Sequence, residues 1–352
     1  MSEVRIDLYS DTATMPTEGM RAFMCAAEVG DEQRGEDPSV NQLQEMVAGM
    51  LGKEAALFLP SGTMCNQIAL AVHCRSGDLV LLDRTSHPLH SEAGGAAVLA
   101  RVTLYPVDGE KGQFTAEQVA AEITPSTRYF PGFRLISVEQ TTNRPGGCIW
   151  PLEQMRAVCE VAHERGVLTH MDGARLFNAV VETGISTQDY AETFDTVWID
   201  LSKGLGAPVG GVLAGSEAFI QEAWQWKQRI GGAMRQAGII AAAGVYALKH
   251  QVDRLVEDHR NAKRLAERIA GTPGIAIDPA EVETNMVRFD IGETGATSRE
   301  FADRLLEDSG VRVSTPSPTA MRAVPHLGIT EADVDEAADA VRALAKRLLE
   351  ER

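Results

Sequence analysis

Ile199-Asp200-Leu201-Ser202-Lys203-Gly204-Leu205-Gly206-Ala207-Pro208-Val209-Gly210-Gly211 is the stretch around which the chain is organised. An apolar, strand-like run ends in a lysine, and small residues follow at once. A lysine so placed has its amine at the mouth of a sheet, partly desolvated and close to backbone. Desolvation favours the neutral amine, the form that attacks a carbonyl. A surface lysine in a glycine-rich loop would read the same way, so the rest of the chain decides.

Working outward, apolar runs and helical patterns alternate. Glu54–Pro60, Asp78–Asp83, Val102–Leu104, Leu135–Glu139, Val167–Asp172, Thr196–Ile199 and Val212–Ala214 read as strands. Helices are expected from Thr17 as N-cap, from Ser39 as N-cap, near Ala116–Ile123 and over Leu152–Gly166. This alternation predicts an α/β fold with a mostly parallel sheet covered on both faces. After Gly215 helices dominate, at Ala218–Arg229, Gln236–Lys249 and Val252–Ile269. A smaller α+β region follows, with strands near Met286–Phe289 and Val311–Val313, and helices at Ser298–Asp308 and Glu331–Glu350. The expected domains are residues 1–250, including the N-terminal segment, and residues 251–352.

In open parallel sheets ligands bind at the carboxyl ends of the strands. Four strand ends carry chemistry here. Ser61-Gly62-Thr63 is a small hydroxylated turn between a strand and a helix start, where free N–H groups and the helix dipole favour a phosphate. It is not a P-loop, since Gly-x-x-x-x-Gly-Lys is missing. His87 follows the next strand, Asp172-Gly173-Ala174-Arg175 ends another, and Lys203 ends a fourth. Phosphate cradle, imidazole, carboxylate and amine together fit pyridoxal 5′-phosphate, whose ring nitrogen needs a carboxylate and whose aldehyde needs an amine. A hydride-transfer site would need a Rossmann glycine fingerprint, and none is found early in the chain.

The composition narrows the partners. Thirty-three basic against fifty acidic side chains give a net charge of −17 over 352 residues, which argues against nucleic acid or an anionic membrane. No apolar run is long enough to span a bilayer. The five cysteines show no metal-ligand spacing, so no metal is expected, and their odd, scattered count suggests reduced thiols in a cytoplasmic protein. The N-terminus lacks a basic segment followed by an apolar core, so no signal peptide is expected.

The sequence also resembles the threonine aldolases, within the β-eliminating lyase group of fold-type I pyridoxal phosphate enzymes, over nearly its whole length. The matching motifs are Ser10-Asp11-Thr12, Gly35-Glu36-Asp37-Pro38, Pro60-Ser61-Gly62-Thr63-Met64 and Ser86-His87. Further matches are Asn143-Arg144-Pro145-Gly146-Gly147, Asp172-Gly173-Ala174-Arg175-Leu176-Phe177-Asn178, Ser202–Gly210 and Met234-Arg235-Gln236-Ala237-Gly238. The resemblance implies a fold-type I large domain with a smaller C-terminal domain, and Lys203 as the residue that carries the cofactor. Asp172 would pair with the ring nitrogen and His87 would stack on the ring. Ser61, Gly62 and Thr63 would hold the phosphate, with Arg235 near it, in that family often across a subunit boundary. Ser10, Arg175 and Arg322 would hold the carboxylate of an amino-acid substrate. A homotetramer, or a dimer, is also implied.

Two departures from the family pattern concern the substrate side chain. Arg34 stands where a tyrosine is usual, and Glu139-Gln140-Thr141-Thr142-Asn143 stands where Glu-Asn-Thr-His-Asn is usual. Thr142 can hydrogen-bond beside a β-hydroxyl but is a poor base at neutral pH. Arg34 reads as an ion-pair partner of Glu32 or Glu36, the alternative being recognition of an acidic side chain. The expected reaction is retro-aldol cleavage of a β-hydroxy-L-α-amino acid to glycine and an aldehyde, with His87 or a water as base. The rival on the same scaffold is β-elimination to a 2-oxo acid and ammonia. A non-catalytic cofactor-binding protein is the third reading, against which the retention of Lys203, Asp172, Arg175 and Arg322 speaks.

Overall fold

Apolar runs bounded by small or hydroxylated turns become strands, and amphipathic stretches between them become helices. In the computed structural model, which describes residues 3–351, the strands are β1 (Ile6–Asp7), β2 (Ala55–Leu59), β3 (Leu79–Asp83), β4 (Thr103–Val107), β5 (Phe133–Glu139), β6 (Leu168–Gly173), β7 (Thr196–Asp200), β8 (Gly211–Gly215), β9 (Val287–Asp290), β10 (Val311–Arg312) and β11 (Ala320–Ala323). The chain divides into two units. One comprises Pro16–Pro145 and Ile149–Val252, and the other the N-terminal residues through Met15, Gly146–Cys148 and the chain from Asp253 onward.

The first unit is built on a seven-stranded sheet of order β2-β8-β7-β6-β5-β3-β4. Only β8 runs against its neighbours, pairing antiparallel with both β7 and β2. The connection from β7 to β8 is too short to hold a crossover helix, so the chain must turn straight back. Leu201 N–H donates to Gly210 C=O at 2.9 Å and closes that turn. Every residue of β3, β7 and β8 is buried, as expected for strands covered on both faces. The helix Gly62–His73 lays Cys65, Ile68 and Ala69 against Leu57, Leu59, Trp198 and Leu213 of the sheet. The parallel strands thus present Ser61, His87, Glu139, Asp172 and Lys203 at or just beyond their carboxyl ends.

The second unit has its own core, with Ile6, Leu8, Phe289, Phe301, Met321 and Val334 among its buried members. β1 pairs parallel with β10, and β9 antiparallel with β11. The helices Leu255–Ile269 and Glu331–Glu350 are laced by Arg264, which grips Asp335 with two hydrogen bonds of 2.6 and 2.7 Å. The N-terminal segment is grouped with this unit. Ile6 and Leu8 are each only 1% exposed. Leu8 N–H donates to Arg312 C=O at 2.8 Å, and Val324 N–H donates to Leu8 C=O at 2.9 Å. A strand of two residues is too short to show a period. Among the described residues, no helix is long and apolar enough to cross a membrane.

Thr17 caps its helix by accepting from Met20 N–H. Ser39 does not cap the next one. Pro38 occupies the first helical position, where its missing N–H costs nothing, and Asp37 is the cap. The Asp37 carboxylate is fully buried and accepts four backbone N–H groups: Ser39 and Val40 at 3.1 Å, Gly30 at 3.2 Å, and Gly238 at 2.8 Å. Gly238 opens the helix Gly238–His250, so one carboxylate serves two helix starts. Asp37→Ala leaves those donors buried without a partner and should cost about 3 kcal/mol of stability. A urea unfolding midpoint indistinguishable from wild type would contradict this role.

Candidate active site

The chemistry gathers where the carboxyl ends of β3, β5, β6 and β7 lie side by side, since β5 and β6 bring Glu139 opposite Asp172 and β6 and β7 bring Asp172 opposite Trp198. Lys203 lies three residues beyond β7, its side chain only 18% exposed, with Nζ 2.6 Å from Asp200 Oδ2 and 5.6 Å from the Trp198 ring centre. Asp200 is itself anchored, its Oδ1 accepting from Ser202 N–H at 2.7 Å and Ser202 Oγ at 2.8 Å.

Ser61 is the N-cap of the helix Gly62–His73, its Oγ accepting from Met64 N–H at 3.2 Å. Gly62 and Thr63 are the first two helical residues, whose N–H groups have no acceptor within the helix. A Cβ on Gly62 would lie 2.3 Å from the Trp198 ring and 3.1 Å from Asp200 Oδ2. Only glycine lets this helix start close on the sheet beside Lys203.

A second cluster surrounds His87. Its Nδ1 is 2.9 Å from Glu92 Oε1, and its backbone N–H donates to Glu139 Oε2 at 2.8 Å. Asn66 Nδ2 donates to both Glu92 Oε1 and Asp172 Oδ2 at 2.8 Å, while its Oδ1 accepts from Trp198 Nε1 at 2.7 Å. Glu139 Oε1 also accepts from Asn143 N–H at 2.7 Å, which fixes the loop that holds Thr142. Three carboxylates, Glu92, Asp172 and Glu139, are therefore buried around one imidazole.

The titration of these groups follows from that arrangement. Burial pushes the Asp172 carboxyl up, against the opposing charges of His87 and Lys203 and the Asn66 hydrogen bond. Burial and the neighbouring Asp172 charge carry Glu139 up to about 7. Burial alone would lower His87, but the Glu92 hydrogen bond and the charges of Asp172, Glu92 and Glu139 outweigh it and raise the imidazole. Below this layer His170 and His73 share Thr196 Oγ1, each at 2.8 Å, and burial lowers them to about 3 and about 4.

The donor set fits pyridoxal phosphate. Helix-start N–H groups suit its phosphate, the Lys203 amine suits its aldehyde, and the buried Asp172 carboxylate suits a protonated ring nitrogen.

Of the residues expected from sequence, Ser61, Gly62, Thr63, His87, Asp172, Arg175, Lys203 and Thr142 all lie in this unit at or just after the strand ends. Arg175 is 5% exposed and donates its N–H to Gln140 C=O at 3.1 Å. Arg34 and Arg235 share another partner, Asp31, at 3.9 and 2.9 Å, and both side chains are well exposed. Arg34 therefore pairs with neither Glu32 nor Glu36. Glu32 is instead buried against Lys227 Nζ at 2.8 Å. Ser10 and Arg322 lie in the second unit, where Ser10 caps the short turn Asp11–Ala13 and Arg322 Nε donates to Ser314 Oγ at 3.0 Å. Sequence reading missed Asn66, Glu92, Glu139 and Asp200. Asn66 one helical turn after Ser61-Gly62-Thr63, and Asp200 three residues before the lysine, were the available signals.

A family described as β-eliminating lyase matches residues 7–291. The chain belongs to this family. It is 40% identical over 343 residues to the low specificity L-threonine aldolase of Escherichia coli K12, covering 97% of this chain and 100% of that one. It is also 40% identical to low-specificity L-threonine aldolase 1 of Arabidopsis thaliana, covering 94% and 93% of the two chains. The solved threonine aldolase of Leishmania major shares the fold, with a TM-score of 0.83 at 16% identity over 97% of this chain and 99% of that one. So does the serine palmitoyltransferase of Sphingomonas wittichii, at 0.75 and 16% over 97% and 88%. The sequence expectation of a fold-type I, pyridoxal phosphate-dependent lyase stands.

Two buried imidazoles that stay neutral when folded, but protonate with an ordinary pKa of 6.5 when unfolded, add stability above that pH and lose it as the pH falls toward 4 and 3. Imidazole NMR titrations should show His73 and His170 unchanged from pH 8 to about 5. His87 should titrate above its ordinary value and move down in Glu92→Gln. A His87 midpoint unmoved by that change would remove Glu92 as its charge partner.

Proposed function

We propose that this lyase cleaves β-hydroxy-L-α-amino acids of the threonine type to glycine and an aldehyde. The observation that carries the reading is the meeting, at one sheet edge, of the Lys203 amine, a helix start and the buried Asp172 carboxylate. Bound pyridoxal phosphate supplies an aldehyde for the amine and a cationic ring that draws electrons from the breaking Cα–Cβ bond.

The chain's own residues do the rest. Ser61, Gly62 and Thr63 would hold the phosphate, Lys203 would hold the cofactor covalently, and Asp172 would keep the proton on the ring nitrogen. Arg175 would fix the substrate carboxylate and so orient the bond to be broken. His87, with Nδ1 on Glu92, presents Nε2 to take the β-hydroxyl proton. Thr142 adds a hydrogen bond at that end of the pocket without acting as a base. The buried cysteines Cys65, Cys74 and Cys159 are free thiols, in keeping with a reducing, cytoplasmic setting. Family membership and the exposed Arg235 support a homo-oligomer, dimer or tetramer, with no role for nucleic acid.

The description of the family keeps a second reading in play, elimination of the β-hydroxyl to a 2-oxo acid and ammonia. Product analysis over a panel of β-hydroxy amino acids, acidic and aromatic ones included, separates the two. Glycine plus an aldehyde is expected, and ammonia plus an oxo acid would replace the aldolase reading. Lys203→Ala should neither turn over substrate nor gain visible absorbance with pyridoxal phosphate. His87→Asn should lower kcat about a hundredfold while still binding the cofactor.

A further inference from the structure

The partner of Lys203 is the least expected feature of the site. An amine that must attack a carbonyl is useful only when neutral, yet here Nζ lies 2.6 Å from a carboxylate oxygen that is almost wholly withdrawn from water. The carboxylate is not a loose surface charge. It ends β7, its side chain is 6% exposed, and Ser202 binds its other oxygen twice, at 2.7 and 2.8 Å. Those bonds point Oδ2 at the amine. The same Oδ2 would lie 3.1 Å from a Cβ on Gly62, the first residue of the helix that opens toward the phosphate.

We propose that Asp200 is the proton acceptor that readies Lys203 for the cofactor. The inference rests on Lys203 being the attachment residue. Before loading, the ammonium and the carboxylate form an ion pair, and the amine's lone pair is occupied by a proton. To attack the aldehyde the amine has to give up that proton, and Oδ2 is the acceptor already bonded to it. One proton then passes from Nζ to Oδ2 along the existing 2.6 Å hydrogen bond, leaving a neutral amine and a neutral acid. The amine nitrogen bonds to the aldehyde carbon, and the carbonyl oxygen leaves as water after taking up two protons. Both come from the amine nitrogen, one directly and one by way of Asp200, so no outside oxidant, reductant or base is needed.

The test uses the full-length cofactor-free protein, prepared by dialysis against a carbonyl reagent. Pyridoxal 5′-phosphate loading is followed by stopped-flow absorbance, and binding of pyridoxine 5′-phosphate, which has the phosphate but no aldehyde, by tryptophan fluorescence. Asp200→Asn keeps the shape but cannot take the proton. Its loading should slow about a hundredfold, while pyridoxine 5′-phosphate binds at least as tightly as to wild type. Asp200→Glu should recover part of the rate, and its melting temperature, read beside that of Asp200→Asn, keeps the question answerable if one variant folds poorly. Wild-type loading rates in Asp200→Asn would overturn the proposal. So would a more than tenfold loss of pyridoxine 5′-phosphate binding, which would make Asp200 part of the cradle. Borohydride reduction and peptide mapping of loaded wild type separate this from the underlying assignment. A label absent from Lys203 would sink the attachment residue itself, whereas a label on Lys203 with unchanged Asp200→Asn kinetics would sink only the role of Asp200.

Discussion

Negative charge held out of water at the carboxyl edge of the sheet is the constraint on which the rest of this site depends. Glu92, Asp172, Glu139 and Asp200 are each under a tenth exposed, and each needs donors to be tolerated there. The fold supplies them from several elements. Asn66 comes from the helix Gly62–His73, the His87 and Asn143 N–H groups from loops after β3 and β5, and Lys203 from the turn after β7. The network also knits these elements together, because Asn66 alone touches Glu92, Asp172, Trp198 and His170. What stabilises the edge is thus also what tunes it, since the same buried carboxylates raise His87.

The frame of this site was legible in the chain. Alternating apolar runs and helical patterns give the sheet, and the parallel rule alone sends Ser61, His87, Asp172 and Lys203 to one edge. The reach of tertiary contacts was not legible. Glu92 looks like a surface acid in a loop, and only the fold shows it buried under His87. Asp200 sat within the quoted stretch, but an acid at a strand end is usually read as a turn-former. Ser39 lost the cap to Asp37 because the proline between them sets where the helix begins, a local rule that reading hydroxyls alone passes over. Ile6–Asp7 could not announce itself as a strand, since two residues carry no period and its partner lies some three hundred residues away.

The fold and the reaction part company at the substrate. A threonine aldolase and a serine palmitoyltransferase share this architecture at TM-scores of 0.83 and 0.75, so the sheet and the cofactor edge do not choose the bond to be broken. That choice falls to the groups around the substrate's β-carbon. Thr142 lies in a loop tied down by Glu139. Because Glu139 also fixes the backbone of His87, any change that loosens the Thr142 loop is felt at the imidazole. One carboxylate thus ties the Thr142 loop to the backbone of His87.

The reversal of β8 deserves its place in that chain of causes. Were β8 parallel to β7, a crossover helix would have to follow Asp200, and Lys203 would be carried off on its first turn. The tight return instead keeps Leu201 N–H on Gly210 C=O, and holds Lys203 within three residues of the strand that carries its partner carboxylate. Small residues are forced on that return. Gly211 has no room for a side chain between Cys65 Sγ and Trp198, and Gly210 takes a φ of 109°, which side-chain-bearing residues rarely adopt. The glycine-rich run that first drew attention to the lysine is therefore the physical cost of turning the sheet back at the site, and the closeness of Asp200 to Nζ is what that turn secures.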